Sequence, residues 1–244
     1  MKIASKIIIF LNILIFSAII INFFSSCSKN PLFPIISGEW DYFPLKPGNT
    51  WKYIDVDHPS TNYIETMLAE KNFLGKNAIP QEEKTIVNGS EVSIETNTYF
   101  IKEDKNLLVG LKDMTNLVSR YLLMAELPPV EGNKWTDTET KKNLDIGVGF
   151  LVDFVLTING EVKEMNIEKK VKAGTFKNCA HINIMMNAKL INSTNQNNIL
   201  LNNETLIDSY LAPNIGKIYE TTTTKTNGQV ESITKKELVS YSVK

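Results

Sequence analysis

The side chains most able to do chemistry are two cysteines, Cys27 and Cys179, and two histidines, His58 and His181. Cys179 and His181 lie two positions apart in an alternating apolar segment, which places both on one face of a strand. A catalytic thiolate–imidazole pair needs hydrogen-bond reach and a third, orienting group, whereas this spacing separates the two by roughly 6–7 Å. We therefore interpret Cys179 as a packing residue, and the sequence predicts no catalytic residue.

Other chemical signatures are weak. His58 stands in DVDHPS (55–60), a turn with too few convergent ligands for a metal site. We find no G-x-S-x-G, G-x-G-x-x-G or G-x-x-x-x-G-K, so we expect no cofactor and no metal and predict a protein that is not an enzyme. Carboxylates are spread among lysines, as in KEDK (102–105), which indicates a solvated surface. Glycosidase carboxylates are positioned by the fold, however, so an envelope hydrolase acting on glycan or lipid stays an alternative.

Cys27 follows the apolar run 7–24, which has Lys2 and Lys6 before it and Ser25 and Ser26 after it. A basic start, an apolar run and small residues are typical of a secretory signal. The run also reaches the shortest length of a membrane-spanning helix, so an uncleaved anchor is a rival and plain secretion a third alternative.

The residues FSSC (24–27) resemble the lipobox of bacterial lipoproteins. The resemblance implies lipid attachment at Cys27 after cleavage of a signal peptide at 1–26. Residues 27–38 contain Pro31 and Pro34 and show no long periodicity, so we predict a lipidated tether there and, because no linker divides the rest, one domain at 39–244. Ser28 rather than Asp follows the cysteine, so we expect an exported protein anchored in the outer membrane rather than the inner one. Several acyl chains would hold it firmly, because each buried CH₂ contributes about 0.8 kcal/mol.

The composition argues against a nucleic-acid partner and against a disulfide framework. The formal net charge of −1 and a pI near 6.2 provide no basic excess for phosphate, so we expect no nucleic acid. If Cys27 carries lipid, Cys179 has no partner within the chain, and a disulfide framework is excluded.

The domain itself has the pattern of β-structure. Asn-Gly pairs at 88–89, 159–160 and 227–228 each interrupt alternating segments, which is a strong signal for a hairpin with a type I′ turn. We predict an all-β fold, either a single curved antiparallel sheet or an open half-barrel with few short helices. Residues 62–73 fit a short helix or a strand, and the Asn-rich stretch 192–198 indicates a mobile loop.

An internal echo links two tryptophans. PLKPGNTW (44–51) and PPVEGNKW (128–135) both fit P-x-x-x-G-N-x-W. Each copy predicts a tight turn leading into a strand that carries Trp51 or Trp135 near its start. The two tryptophans either seal the core or line one apolar cavity, and a duplicated half-sheet would also explain the echo.

Three longer segments resemble landmarks of a group of uncharacterised bacterial envelope proteins: YFPLKPGNTWKY (42–53), AGTFKNCAHI (173–182) and YLAPNIGKI (210–218). That group opens with Y-x-P-L-x-x-G-x-x-W-x-Y and closes with Y-x-A-P-x-I-G-x-I/V. The resemblance implies a curved antiparallel sheet similar to the lipoprotein-carrier (LolA-like) half-barrel. It carries over only structural positions: Tyr42, Pro44, Gly48, Trp51, Gly174, Phe176, Pro213 and Gly216.

One apolar stretch favours ligand binding. IGVGFLVDFVL (146–156) is interrupted only by Asp153 and is either a buried strand or connection, or the wall or lid of a cavity for an apolar ligand. With this wall, we predict an apolar ligand face of Trp51, Trp135, Phe150 and Phe154. We expect an envelope lipoprotein that is a non-enzymatic binding or assembly module for an apolar ligand or an envelope partner. A purely structural surface lipoprotein is a further alternative.

Overall fold

The computed structural model describes residues 40–114 and 116–244. The predicted signal peptide, the tether and Cys27 lie outside the described residues. Thirteen strands make up most of the described chain. They are β1 Thr50–Asp55, β2 Thr61–Met67, β3 Lys71–Phe73, β4 Lys76–Val87, β5 Ser90–Glu103, β6 Asn106–Leu111, β7 Leu122–Glu126, β8 Lys134–Asp145, β9 Leu151–Val171, β10 Gly174–Asn192, β11 Asn195–Ala212, β12 Gly216–Thr226 and β13 Gln229–Ser242.

The prediction of an all-β fold with a curved antiparallel sheet is confirmed. Within the described residues, helix is confined to one 3-10 turn at Lys112–Met114. This turn is all that the described chain has of the few short helices that the sequence predicts. The ambiguous segment 62–73 is extended and supplies most of β2 and all of β3. In the part of the chain that the structure describes, no helix is long and apolar enough to cross a membrane.

The strands form one antiparallel meander. Their order is β7-β6-β5-β4-β2-β1-β13-β12-β11-β10-β9-β8, with short β3 paired to β4. The first and last of the described strands, β1 and β13, therefore pair in the middle of the sheet. The edges are β7 and β8, which are consecutive in sequence, and the sheet curves until these edges lie against each other. The result is a nearly closed barrel.

Side chains close the seam between the two edges. Arg120, just before β7, places Nη2 2.7 Å from Asp137 Oδ1 and Nε 2.8 Å from Glu139 Oε2, both on β8. The backbone N–H of Leu123 on β7 donates to Asp137 Oδ2 at 2.7 Å. The Arg120 guanidinium holds the pKa of Asp137 below its usual range. A bidentate arginine thus stands where a ladder of backbone hydrogen bonds would complete the barrel.

Two of the three Asn-Gly pairs are the predicted hairpin turns. Asn88 and Asn227 have φ of 52° and 50°, and the glycines after them are also left-handed, as a type I′ turn requires. The prediction for the third pair is wrong, because Asn159 and Gly160 lie inside the unbroken strand β9. The ring of Trp135 on β8 covers Gly160 so closely that a Cβ there would lie 2.0 Å from ring carbons. This glycine makes room for an indole rather than a turn.

The mobile loop predicted at 192–198 is also wrong. Strand β10 ends at Asn192 and β11 begins at Asn195, so two residues make the turn. Asn192 Oδ1 accepts hydrogen bonds from the backbone N–H of Thr194 at 2.9 Å and of Asn195 at 3.2 Å. An asparagine that organises a tight turn through its own side chain explains the composition without a loop.

The two copies of P-x-x-x-G-N-x-W form similar turns in the structure. Gly48 donates its N–H to Met67 O at 2.7 Å, and Gly132 donates to Val162 O at 2.9 Å. Both glycines have positive φ, 87° and 82°, and each turn leads into a strand whose second residue is the tryptophan. The predicted tight turns are confirmed. The first turn starts the run β1 to β7, which ends at the seam, and the second turn starts the run β8 to β13.

The first described residues close one end of the barrel. Tyr42 and Phe43 are 3% and 1% exposed. The Tyr42 hydroxyl donates to Asn178 O at 2.8 Å, and Asn214 donates its N–H to Asp41 O at 2.6 Å. We call the end with the β11–β12 turn the entry end, because the described chain enters there.

Candidate functional site

Five charged side chains face the interior from four strands in the middle of the sheet. They are Glu65 on β2, Glu83 on β4, Lys217 and Glu220 on β12, and Lys236 on β13. All are buried, with exposed fractions of 0% for Glu65 and Lys217 and no more than 8% for the other three. Lysine and glutamate are almost never buried this fully unless they are paired. We call these five residues the buried network.

Local irregularity brings two members together. Lys217 pairs with Leu211 and Tyr219 pairs with Tyr210, so Ile218 is an extra residue in β12. In a regular strand, residues 217 and 220 would point to opposite faces. The bulge reverses the alternation, and Lys217 and Glu220 therefore share the inner face.

Lys217 bridges two carboxylates. Its Nζ lies 3.1 Å from Glu65 Oε1 and 3.2 Å from Glu220 Oε1. Ser209 Oγ donates to the second oxygen of Glu220 at 3.1 Å. The same ammonium stands 4.7 Å from the ring centroid of Tyr53, within the range of a cation–π contact.

Lys236 forms the second bridge. Its Nζ lies 2.7 Å from Glu83 Oε2 and 3.8 Å from Glu65 Oε1. It also lies 4.0 Å from the centroid of the Tyr63 ring. Glu65 therefore connects the two lysines, and its other oxygen accepts a hydrogen bond from Gln81 Nε2 at 2.9 Å.

The network contains three carboxyl groups and two ammonium groups. Burial raises the pKa of Glu65 to about 7, although Lys217 and Lys236 oppose the shift. For Lys236, burial alone would lower the pKa, but the carboxylates of Glu83, Glu65 and Glu220 outweigh it and the pKa is raised. A proton on Glu65 makes the charges balance, two against two. The network can thus take up one proton near neutral pH.

The side-chain amide of Gln81, beside the buried network, has one atom without a hydrogen-bond partner. Its Nε2 is used by Glu65, whereas its Oε1 is buried and has no hydrogen-bond partner. A buried amide oxygen without a donor costs stability. When Glu65 is protonated, a rotation of the Gln81 amide would let the carboxyl O–H donate to that oxygen.

Three of the four residues predicted to form an apolar ligand face are buried in the barrel core. Trp51, Trp135 and Phe154 belong to one core cluster, with exposed fractions of 0%, 5% and 1%. Trp51 Nε1 donates to Ile215 O at 3.3 Å. Phe150 lies before β9 and is 40% exposed, apart from the buried three. The ligand face itself stays a prediction, and Cys27 lies outside the described residues.

Asp153, which interrupts the apolar stretch 146–156, is held by three hydrogen bonds. Asp153 accepts hydrogen bonds from Ser193 Oγ at 2.6 Å, Gln196 Nε2 at 3.0 Å and the N–H of Asn143 at 2.9 Å. The Ser193 bond and then the Asn143 bond lower the pKa of Asp153. The carboxylate ties β9 to the irregular part of β8 around Asn143 on one side and to the β10–β11 turn on the other.

Cys179 and His181 have separate environments. Register shifts on both sides of Cys179 break the regular alternation of β10. The Cys179 thiol is buried, donates to Phe176 O at 3.5 Å, and has a pKa raised to about 11 by that burial. His181 instead contacts Asp208 through Nε2 at 2.5 Å and stacks on Tyr210. No group of three or more His, Cys, Asp or Glu that could hold a metal occurs among residues 40–114 and 116–244.

Comparisons with known proteins give limited likeness. No family model and no curated protein sequence matches the chain. Solved structures that resemble it include one from Bacteroides fragilis, classed as an exported protein with a YmcC-like fold, and one from Parabacteroides distasonis, classed as a lipoprotein. Each is 10% identical with a TM-score of 0.45, and each match covers 84% of this chain and 100% of the other. A likeness of this size carries no conclusion about what this chain does.

Proposed function

We propose that this protein is an exported lipoprotein of the cell envelope, anchored in the outer membrane, whose β domain is a non-enzymatic binding or assembly module. One observation carries the part of the proposal that concerns the domain: large side chains of the chain itself are buried in the barrel interior. Trp51, Tyr53, Phe43, Phe100 and Phe154 are among the largest fully buried ones. Contacts with other molecules would then fall to the outer face and the ends, which favours an envelope partner over an apolar ligand inside.

The anchor rests on the sequence FSSC (24–27) and on Ser28. Cys27→Ala should abolish incorporation of labelled palmitate and leave an uncleaved precursor with the mobility of the full chain. The matched control is Cys179→Ala, which removes the only other cysteine and should leave labelling and cleavage as in the wild type. Palmitate labelling that persists in the Cys27 variant would refute the anchor.

Native mass spectrometry distinguishes a partner from an interior ligand. The mature protein, released from membranes in detergent, should have the mass of its polypeptide plus its acyl chains. A further bound mass that disappears after Trp51→Ala or Phe154→Ala, in variants that still fold, would instead support the apolar ligand face.

The hydrolase alternative has one feature in its favour, since Glu65, Glu83 and Glu220 converge as such an enzyme would require. They are enclosed by the sheet, however, and two lysines stand between them. A glycan or lipid would have to displace these ion pairs to reach a carboxylate. The arrangement therefore supports a structural and proton-binding role more than hydrolysis.

A further inference from the structure

Apolar side chains line the rim of the entry end. Trp40, the first described residue, is half-buried and has its ring edge-on to Tyr42. It lines an open groove of about 250 Å³ together with residues that include Leu127 and Pro128. Two residues after Pro128, Val130 is 51% exposed. We call Trp40, Leu127, Pro128 and Val130 the entry rim.

The entry rim is apolar and carries little net charge. Lys102 lines the same groove, and its Nζ lies 2.7 Å from Asp41 Oδ1. Lys105 and Asp104 also line it, one of each sign. A surface of this kind offers no strong attraction for anionic groups, and its apolar side chains are what it presents to a partner.

The position of the rim along the chain limits what can cover it. Thirteen peptide units separate Cys27 from Trp40, and even fully extended they span at most about 45 Å. Residues 30–38, NPLFPIISG, contain no charged side chain and four large apolar ones. An anchor at or before Cys27 therefore keeps Trp40 within about 45 Å of the bilayer, and the entry end is the end of the described domain to which the anchor is joined.

We propose that the entry rim lies in the interfacial layer of the bilayer, with Trp40 among the lipid headgroups. This inference rests on the proposed anchor. Trp is the side chain best suited to that layer, because its ring is apolar and its N–H is polar. The anchor raises the local concentration of the rim at the membrane, so a small apolar surface is enough for contact. The domain is then held in one orientation, with the far end of the barrel facing partners.

The three tryptophans of the chain provide a direct test. Trp51 and Trp135 are 0% and 5% exposed inside the barrel, so lipids can reach only Trp40. The full lipidated protein would be reconstituted into phosphatidylcholine vesicles whose acyl chains carry bromine near the headgroup, a contact quencher of indole fluorescence. We expect quenching in the wild type and its loss in Trp40→Phe, because the quenchable ring is gone.

A matched pair of variants tests the rim rather than the single ring. Val130 and Ile199 are both exposed, 51% and 49%, but Ile199 lies at the far end, thirteen residues from Ala212 along β11. That separation is about 43 Å in a strand. Val130→Asp should reduce quenching by about half or more, since a carboxylate is costly near the acyl chains, whereas Ile199→Asp should leave it unchanged.

Three results would overturn the proposal. Equal quenching in the wild type and Trp40→Phe would place no lipid at the rim. Absence of quenching in protein that is labelled with palmitate would mean that the domain stands away from the membrane or that the apolar residues 32–36 occupy the groove. Quenching that disappears at high salt would indicate a charge-driven contact instead. Absence of palmitate on the wild type would point to failure of the anchor, not of the rim.

Discussion

Replacing Glu65 by Gln removes one ionisable group from the buried network and keeps the size of the side chain. The amide oxygen can still accept from Lys217 Nζ, which lies 3.1 Å from Glu65 Oε1. The charges that remain are two carboxylates, on Glu83 and Glu220, and two ammonium groups. The variant therefore resembles the wild-type network with Glu65 protonated, at every pH.

The size of the effect follows from the pKa of Glu65, about 7 in the folded protein against an ordinary value of 4.5. Between these values the folded chain holds a proton that the unfolded chain has already lost, so unfolding releases it. The free energy of unfolding then falls as pH rises. Its contribution is fully present below about pH 4.5 and lost above about pH 7, and amounts to roughly 2–3 kcal/mol between about pH 5 and pH 8.

Urea unfolding, followed by tryptophan fluorescence at several pH values, would measure this. We expect the wild type to lose stability relative to Glu65→Gln by that amount as the pH rises from about 5 to about 8. Glu91→Gln is the control, since Glu91 is an exposed glutamate on β5, and its pH profile should match the wild type. If the wild type and Glu65→Gln gave parallel profiles, Glu65 would be ionised throughout and the interpretation of the buried network would be wrong.

Three further predictions concern the contact between Gly160 and Trp135, the ion pairs of Lys217 and the turn at Asn227. Gly160→Ala should destabilise the protein by about 1–3 kcal/mol, because the new methyl group meets the Trp135 ring. Adding Trp135→Ala to the same chain should remove that clash, whereas a urea midpoint of Gly160→Ala equal to that of the wild type would refute the close contact. Lys217→Met should cost about 3–5 kcal/mol by leaving two carboxylates buried without this ammonium, and thermal denaturation at pH 8 would show it. Asn227→Ala should cost about 1 kcal/mol because Asn227 has positive φ, and Asn159→Ala distinctly less; similar losses would contradict the assigned turns.

The sequence predicts those parts of the fold that short-range rules determine. Asn88 and Asn227 head two-residue hairpin turns, and Gly48 and Gly132 occupy the left-handed position of the repeated turn, so local backbone preference is enough to place them. The Asn159-Gly160 pair obeys the same rule and is no turn, because a tryptophan from another strand needs the space above Gly160. A local signal fails where a distant side chain decides the use of a residue.

The buried network is hidden from the sequence for a related reason. Regular alternation through Lys217 and Glu220, three positions apart, assigns one of the two to the solvent face. Only the extra residue Ile218 reverses this, and a bulge of this kind has no turn residue to mark it. Glu65 and Lys236 lie 171 positions apart and meet because β1 and β13 pair. A pairing that joins strands so far apart in the sequence is the least accessible to local patterns.

The tryptophans that follow the two copies of the repeated turn have different neighbours across the sheet. Trp51 pairs across the ladder with Glu65, and Trp135 pairs at the same register with Gly160. In the second case the absent side chain lets the indole lie flat on the neighbouring strand, and its N–H has no hydrogen-bond partner. In the first case the indole N–H reaches Ile215 O instead, and the position opposite can hold a carboxylate. The buried network therefore occupies the half of the barrel in which the tryptophan leaves room for it.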